Sequence, residues 1–218
     1  MEAFAHNFLN INVLIRTHGF LITGLFMTLR LIGFSLILAM AWGLFLSVVR
    51  NVHLPGLNTF IVFYVDTLRS LPILVLLMLI YYALPFVGIQ VPAFTAAVLA
   101  LSLNGGAYYA EIFRAGIEAI HRGQTEAART LGLNYIQTMR HVILPQAIRV
   151  VLPPLTTNTL EFIKATAAAS VVALPDILRQ ASQAMNSTFN PTPLTGALVL
   201  YLLICLPLVQ LIRRFENN

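Results

Sequence analysis

Residues 20–49 read FLITGLFMTLRLIGFSLILAMAWGLFLSVV, a run whose one charged residue is Arg30. A helix rises about 1.5 Å per residue and the hydrocarbon core of a bilayer is about 30 Å thick, so about 20 mostly apolar residues cross it. This run exceeds that length. Four further segments qualify, at about 57–84, 91–113, 150–174 and 194–212, the third continuing as helix towards Ile120. The pattern predicts an all-α membrane protein. We read 1–218 as a single domain, a bundle of five spans.

Composition agrees. The chain is 58% hydrophobic and 10% charged, against about 25% charged in soluble domains. The net charge of +5 does not point to nucleic acid, because the basic residues are scattered between apolar blocks. Cys205 is the single cysteine. It has no internal disulfide partner, and in an apolar run it reads as a small packing residue. The N-terminus lacks a clustered basic start and a cleavage-site pattern, so we expect no removable signal peptide. The five histidines show no metal-ligand spacing.

Charge sets the expected orientation. Arg50, Arg114, Arg122, Arg129, Arg140, Arg149, Arg213 and Arg214 fall on one side of a five-span bundle, Arg16 and Arg179 on the other. Excess Lys and Arg marks the cytoplasmic side. The N-terminus is therefore expected outside and the C-terminus inside. The segment 175–193, rich in Ser, Asn and Thr, is expected as a polar outer loop.

The longest region too polar to span lies on the expected inner side, and residues 123–147 read GQTEAARTLGLNYIQTMRHVILPQA. Gln124 or Thr125 starts a short helix of good formers. Gly132 can take positive φ and end it. Asn134 caps a second helix with Gln137 in the capping-box position. Tyr135, Met139, Val142 and Ile143 form an apolar stripe, and Pro145 is expected to interrupt the helix at the membrane. Such an element can lie on lipid, pack on its own bundle, or enter a partner's groove.

The spacing Glu126-Ala127-Ala128, three residues, Gly132, nine residues, Val142-Ile143-Leu144-Pro145 resembles the EAA loop of ABC importer permeases, with Val142 for Ile. Ala107 to Ile117, Arg69-Ser70-Leu71-Pro72, Thr28 to Leu31 and Val172 to Asp176 resemble the polar amino acid uptake branch of that family. The resemblance implies a cytoplasmic coupling segment at about 121–145. Gly123, Glu126, Ala127, Ala128, Leu131, Gly132 and Leu133 would form the docking surface for an ATP-binding cassette ATPase dimer. It further implies a second permease subunit, identical or similar, an extracytoplasmic amino acid-binding protein, and a place in the bacterial inner membrane. The sequence contains no Gly-x-x-x-x-Gly-Lys-Ser/Thr phosphate loop. No cofactor is therefore expected in this chain, and ATP and Mg would sit on the partner ATPase.

Ionisable and polar groups at membrane depth usually face protein or water. Asp66 with Arg69, Glu111 with Arg114, and Glu118 with Arg122 have helical spacing for ion pairs. Asn104, Asn158, Glu161, Lys164, Thr166 and Ser170 are the candidate substrate-path residues. Glu161 can pair with Lys164 or meet a substrate ammonium. The branch commonly reads Lys-Asp/Asn-Thr-Ser-Leu where this chain reads Lys164-Ala165-Thr166-Ala167-Ala168. Two other functions fit an apolar bundle: a channel or secondary transporter working alone, and a membrane scaffold or intramembrane enzyme. The missing internal repeat counts against the first, and the lack of paired catalytic groups against an enzyme.

Overall fold

The computed structural model describes residues 8–50 and 55–216, apart from the side chains of Pro55 and residues 213–216. His6, His53, the link 51–54 and the side chains of Arg213 and Arg214 lie outside this description. All regular elements among the described residues are helical. In chain order they are α1 (Ile11–Arg50), α2 (Pro55–Ser70), α3 (Ile73–Met78), α4 (Ala93–Glu118), α5 (Arg122–Thr130), α6 (Tyr135–Thr138), α7 (Leu144–Ala165), α8 (Ile177–Thr188) and α9 (Thr192–Glu216). π and 3₁₀ turns extend α3 to Val87, link α6 to α7, and extend α7 to Val172.

Among the described residues two helices, Ile11–Arg50 and Thr192–Ile212, are long and apolar enough by themselves to cross a membrane, with mean hydropathies of 2.2 and 2.3. Residues 56–70 and 73–87 together make a third such stretch, bent by 101°. The core lies where α1, α4 and the end of α7 meet, around Leu31, Ala39, Ala100, Leu101, Tyr109 and Phe162. Here small residues permit close approach. A Cβ on Gly105 would stand 2.4 Å from the Phe162 ring, and one on Gly106 2.7 Å from Trp42.

Three expectations change. The second apolar segment, expected as one helix over 57–84, is broken at Leu71-Pro72. Proline lacks an N–H and disfavours helix in the residue before it. Pro72 sits at φ −59, ψ 129, and α3 starts immediately after it.

The segment 175–193 is not a loop but contains α8. Its buried positions, Ile177, Gln180, Ala181 and Ala184, have helical spacing, but Gln180 and small alanines give a weak apolar signal. The Asp176 side chain accepts from the Arg179 N–H at 2.8 Å, and the Thr28 hydroxyl accepts from the Ile177 N–H at 3.1 Å. These bonds satisfy helix-start donors and fasten α8 to α1.

Pro145 does not interrupt the chain's return. A π turn over Met139–Ile143 leads directly into α7, with Pro145 in its first turn. There a missing N–H is tolerated.

Candidate functional site: a docking segment and a polar cavity

Seven charged or capping groups organise the end of the molecule that carries Arg50 and Arg114. Glu111 binds Arg114, and Arg50 lies 3.4 Å from the same carboxylate. Arg114 also binds Glu118. The expected Glu118–Arg122 pair is therefore replaced by one a turn earlier. This ties the ends of α1 and α4 together beneath the segment 121–145.

That segment is a helix–turn–helix. The His121 ring accepts from the Gly123 N–H at 3.1 Å, so α5 begins at Arg122 and not at Gln124 or Thr125. Gly132 has φ +80. Its N–H donates to the Arg129 carbonyl at 2.9 Å, and the Leu133 N–H to the Ala128 carbonyl at 3.1 Å. This two-bond pattern is the Schellman stop for a helix. Asn134 and Gln137 then exchange side-chain-to-backbone bonds of 3.0 and 2.9 Å and start α6.

Ala128, Thr138, Ile143 and Ala147 are buried towards the bundle. Leu131, Tyr135 and Ile136, at 81%, 65% and 73% exposure, stand on the open side. Of the seven expected docking residues, Glu126, Ala127, Leu131 and Gly132 are exposed, and Gly123 and Leu133 are partly so. Ala128 is buried and acts as the packing residue of α5. Tyr135 and Ile136, which are not in the expected docking set, are exposed beside it. Their signal was in the sequence, as two large apolar side chains directly after a capping residue.

The second feature is a cavity of about 520 Å³ beside the break in the second segment. Its polar lining is Arg69, Ser70, Asn104, Tyr108, Asn158 and Glu161; Phe162 and Ala165 are among its apolar walls. Cavities of this size accommodate small molecules. The break itself builds part of the wall. Pro72 has no N–H for the Leu68 carbonyl, and the Asn104 amide donates to that oxygen at 2.7 Å and to the Leu71 carbonyl at 3.4 Å. The Tyr108 hydroxyl donates to the Arg69 carbonyl at 3.0 Å. Side chains of α4 thus replace helix bonds that the break removes.

Of the six expected substrate-path residues, Asn104, Asn158 and Glu161 line this cavity, while Lys164, Thr166 and Ser170 do not. Lys164 Nζ is 2.5 Å from Glu161 Oε1. Thr166 is fully buried, and its hydroxyl donates to the Ile163 carbonyl at 2.7 Å. The expected Asp66–Arg69 pair is not among the ion pairs of the described residues. The Arg69 guanidinium instead lies 5.4 Å from the centre of the Tyr108 ring. Arg69 and Tyr108 were missed as cavity residues because helical spacing suggested a closed pair.

Comparison with known proteins places these features in context. Residues 32–218 match the family described as binding-protein-dependent transport system inner membrane component. A probable amino-acid ABC transporter permease protein of Bacillus subtilis is 41% identical over 172 residues, 79% of this chain and 76% of its own. A probable glutamine ABC transporter permease protein of the same organism is 36% identical, over 84% and 86% of the two chains. A crystal structure of an amino acid ABC transporter with histidines is similar at a TM-score of 0.87 and 36% identity, over 94% of this chain and 96% of that one.

Proposed function

Because the chain belongs to the family of binding-protein-dependent transport system inner membrane components, we propose that it is the membrane-spanning permease subunit of an ATP-driven amino acid importer. The observation that carries the proposal is the helix–turn–helix at 121–145. Its buried face packs on the π turn that leads into α7, and Leu131, Tyr135 and Ile136 stay exposed. Water is a poor neighbour for three large apolar side chains clustered on one turn. A groove in an ATPase subunit removes them from it.

In this reading the basic end is cytoplasmic, the chain spans five times with its N-terminus outside, and the broken helix α2–α3 is one span. The tip engages an ATP-binding cassette dimer, which holds ATP and Mg; this chain has no phosphate loop of its own. Closure of that dimer moves the tip, and the continuous helical run from α6 through α7 carries the motion to the cavity wall at Asn158 and Glu161. A second permease subunit faces the cavity, and an extracytoplasmic binding protein delivers a polar amino acid to it. Glu161 meets the substrate's ammonium group, and Asn158 supplies an uncharged hydrogen-bonding partner.

Leu131→Asp tests the docking role. A charge at the tip should abolish co-purification with the ATPase encoded beside it while membrane insertion persists. Undiminished co-purification would remove the basis of the proposal.

A further inference from the structure

We propose that Arg69 anchors the α-carboxylate of the transported molecule, making the cavity a two-pole site for zwitterions. This rests on the reading of the cavity as the substrate path.

Arg69 is the penultimate residue of α2, about 21 Å along the helix from Pro55 at 1.5 Å per residue. A cation this far into an apolar segment requires a partner or water. Among the described residues it forms no ion pair. Asp66 borders a smaller cleft with it, of about 320 Å³ together with Ser70 and Tyr108, without reaching salt-bridge distance.

Arg69 is nevertheless held. The Tyr108 hydroxyl bonds its backbone carbonyl at 3.0 Å, and the ring of the same tyrosine faces its guanidinium at 5.4 Å. Cation–π contact of this kind positions a guanidinium but leaves its N–H donors free. The break at Leu71-Pro72 stops α2 here, so the guanidinium borders the cavity rather than a continuing helix.

The other wall carries the opposite sign. Glu161 lines the same cavity from α7. Its neutralising partner Lys164 stands outside the lining. A free amino acid carries one carboxylate and at least one ammonium, which match these two walls. The planar guanidinium fork binds a carboxylate through two parallel N–H···O bonds, which an amide cannot reproduce. Lys164 is not part of this lining, so the guanidinium of Arg69 is the cation that borders the cavity.

The test is equilibrium binding to the intact complex in lipid nanodiscs, without the binding protein. The probes are L-glutamine, L-histidine and the α-amide of each. The wild type should prefer each acid over its amide by roughly tenfold or more. Arg69→Gln should bring that ratio to within about twofold, and Arg69→Lys, which keeps the charge but loses the fork, should retain part of it. Glu161→Gln should weaken acid and amide alike, since both keep the ammonium. An unchanged ratio in Arg69→Gln overturns the anchor. So does loss of both compounds alike in an Arg69→Lys complex that still holds its ATPase. If Glu161→Gln and the cavity-filling Ala165→Trp both leave binding untouched, the cavity reading itself fails, and the anchor with it.

Discussion

The Asn104 amide nitrogen stands 2.7 Å from the Leu68 carbonyl oxygen, the acceptor that Pro72 leaves without its helical donor. One side chain of α4 therefore stabilises the break in the second apolar segment, and the break opens the cavity. An orphaned carbonyl that cannot reach water costs about 1–3 kcal/mol. Asn104 is thus first a structural residue, whatever else it touches.

Asn104→Leu removes the donor and keeps much of the volume. It should destabilise the protein by about 1–2 kcal/mol, read as a lower midpoint of thermal unfolding in detergent. Asn104→Gln, which retains a donor, should lose less. Equal midpoints for all three proteins would mean that solvent satisfies Leu68 and that Asn104 does not hold the break.

Gly132 makes a different prediction, because a Cβ there would meet no atom within 4 Å. The penalty for substitution lies in the backbone, whose φ is +80. Left-handed geometry costs non-glycine residues roughly 1–2 kcal/mol, and asparagine tolerates it best. ATPase co-purification should fall in the order Gly132, Gly132→Asn, Gly132→Val. A valine variant equal to wild type would show that docking does not depend on this turn.

Asp176 should make stability depend on pH. It is fully buried at the start of α8. Burial pushes its carboxyl up from 3.8 to about 6, against the smaller opposing effect of the Arg179 N–H bond. Among the described residues Oδ2 has no hydrogen-bond partner. A raised acid pKa means that the folded state holds the proton more tightly. Its stabilising contribution is complete below about pH 3.8 and is lost as pH rises through about 6. The shift corresponds to a loss of on the order of 3 kcal/mol at neutral pH. Unfolding midpoints measured between pH 4.5 and 7 should fall with pH in the wild type, and that component should vanish in Asp176→Asn. A slope identical in the two proteins would assign it to other groups.

Much of this molecule was legible from local rules. The Schellman turn at Gly132 and the capping box of Asn134 and Gln137 depend on residues within a few positions of one another, and both appear where their residue types predicted. Features that depend on distant residues were not legible. Leu71-Pro72 announces a possible break, but its 101° bend depends on Asn104 and Tyr108 receiving the freed carbonyls. Helix α8 hid because its buried face is built from Ala181, Ala184 and Gln180. Spacing alone could not tell that Glu161 would pair with Lys164 while Asp66 would not pair with Arg69.

The Glu161–Lys164 pair is more than half exposed on both sides, at 64% and 51%. Exposed pairs contribute little to stability. Lys164→Met should therefore leave the unfolding midpoint nearly unchanged. It should tighten binding of L-histidine and L-glutamine, because the ammonium group no longer competes with Lys164 for the carboxylate. Weaker binding in this variant would place Lys164 among the groups that hold the substrate.

Dependence on an ATPase is the core of the proposed function: this bundle moves amino acids only when one drives it. Its most direct test is L-glutamine uptake into proteoliposomes containing this chain alone, or this chain with its neighbouring ATPase, any second permease subunit and the binding protein. Uptake should require the complete set and ATP, and should disappear with Leu131→Asp. Uptake by this chain alone, driven by an ion or proton gradient and unaffected by Leu131→Asp, would contradict it.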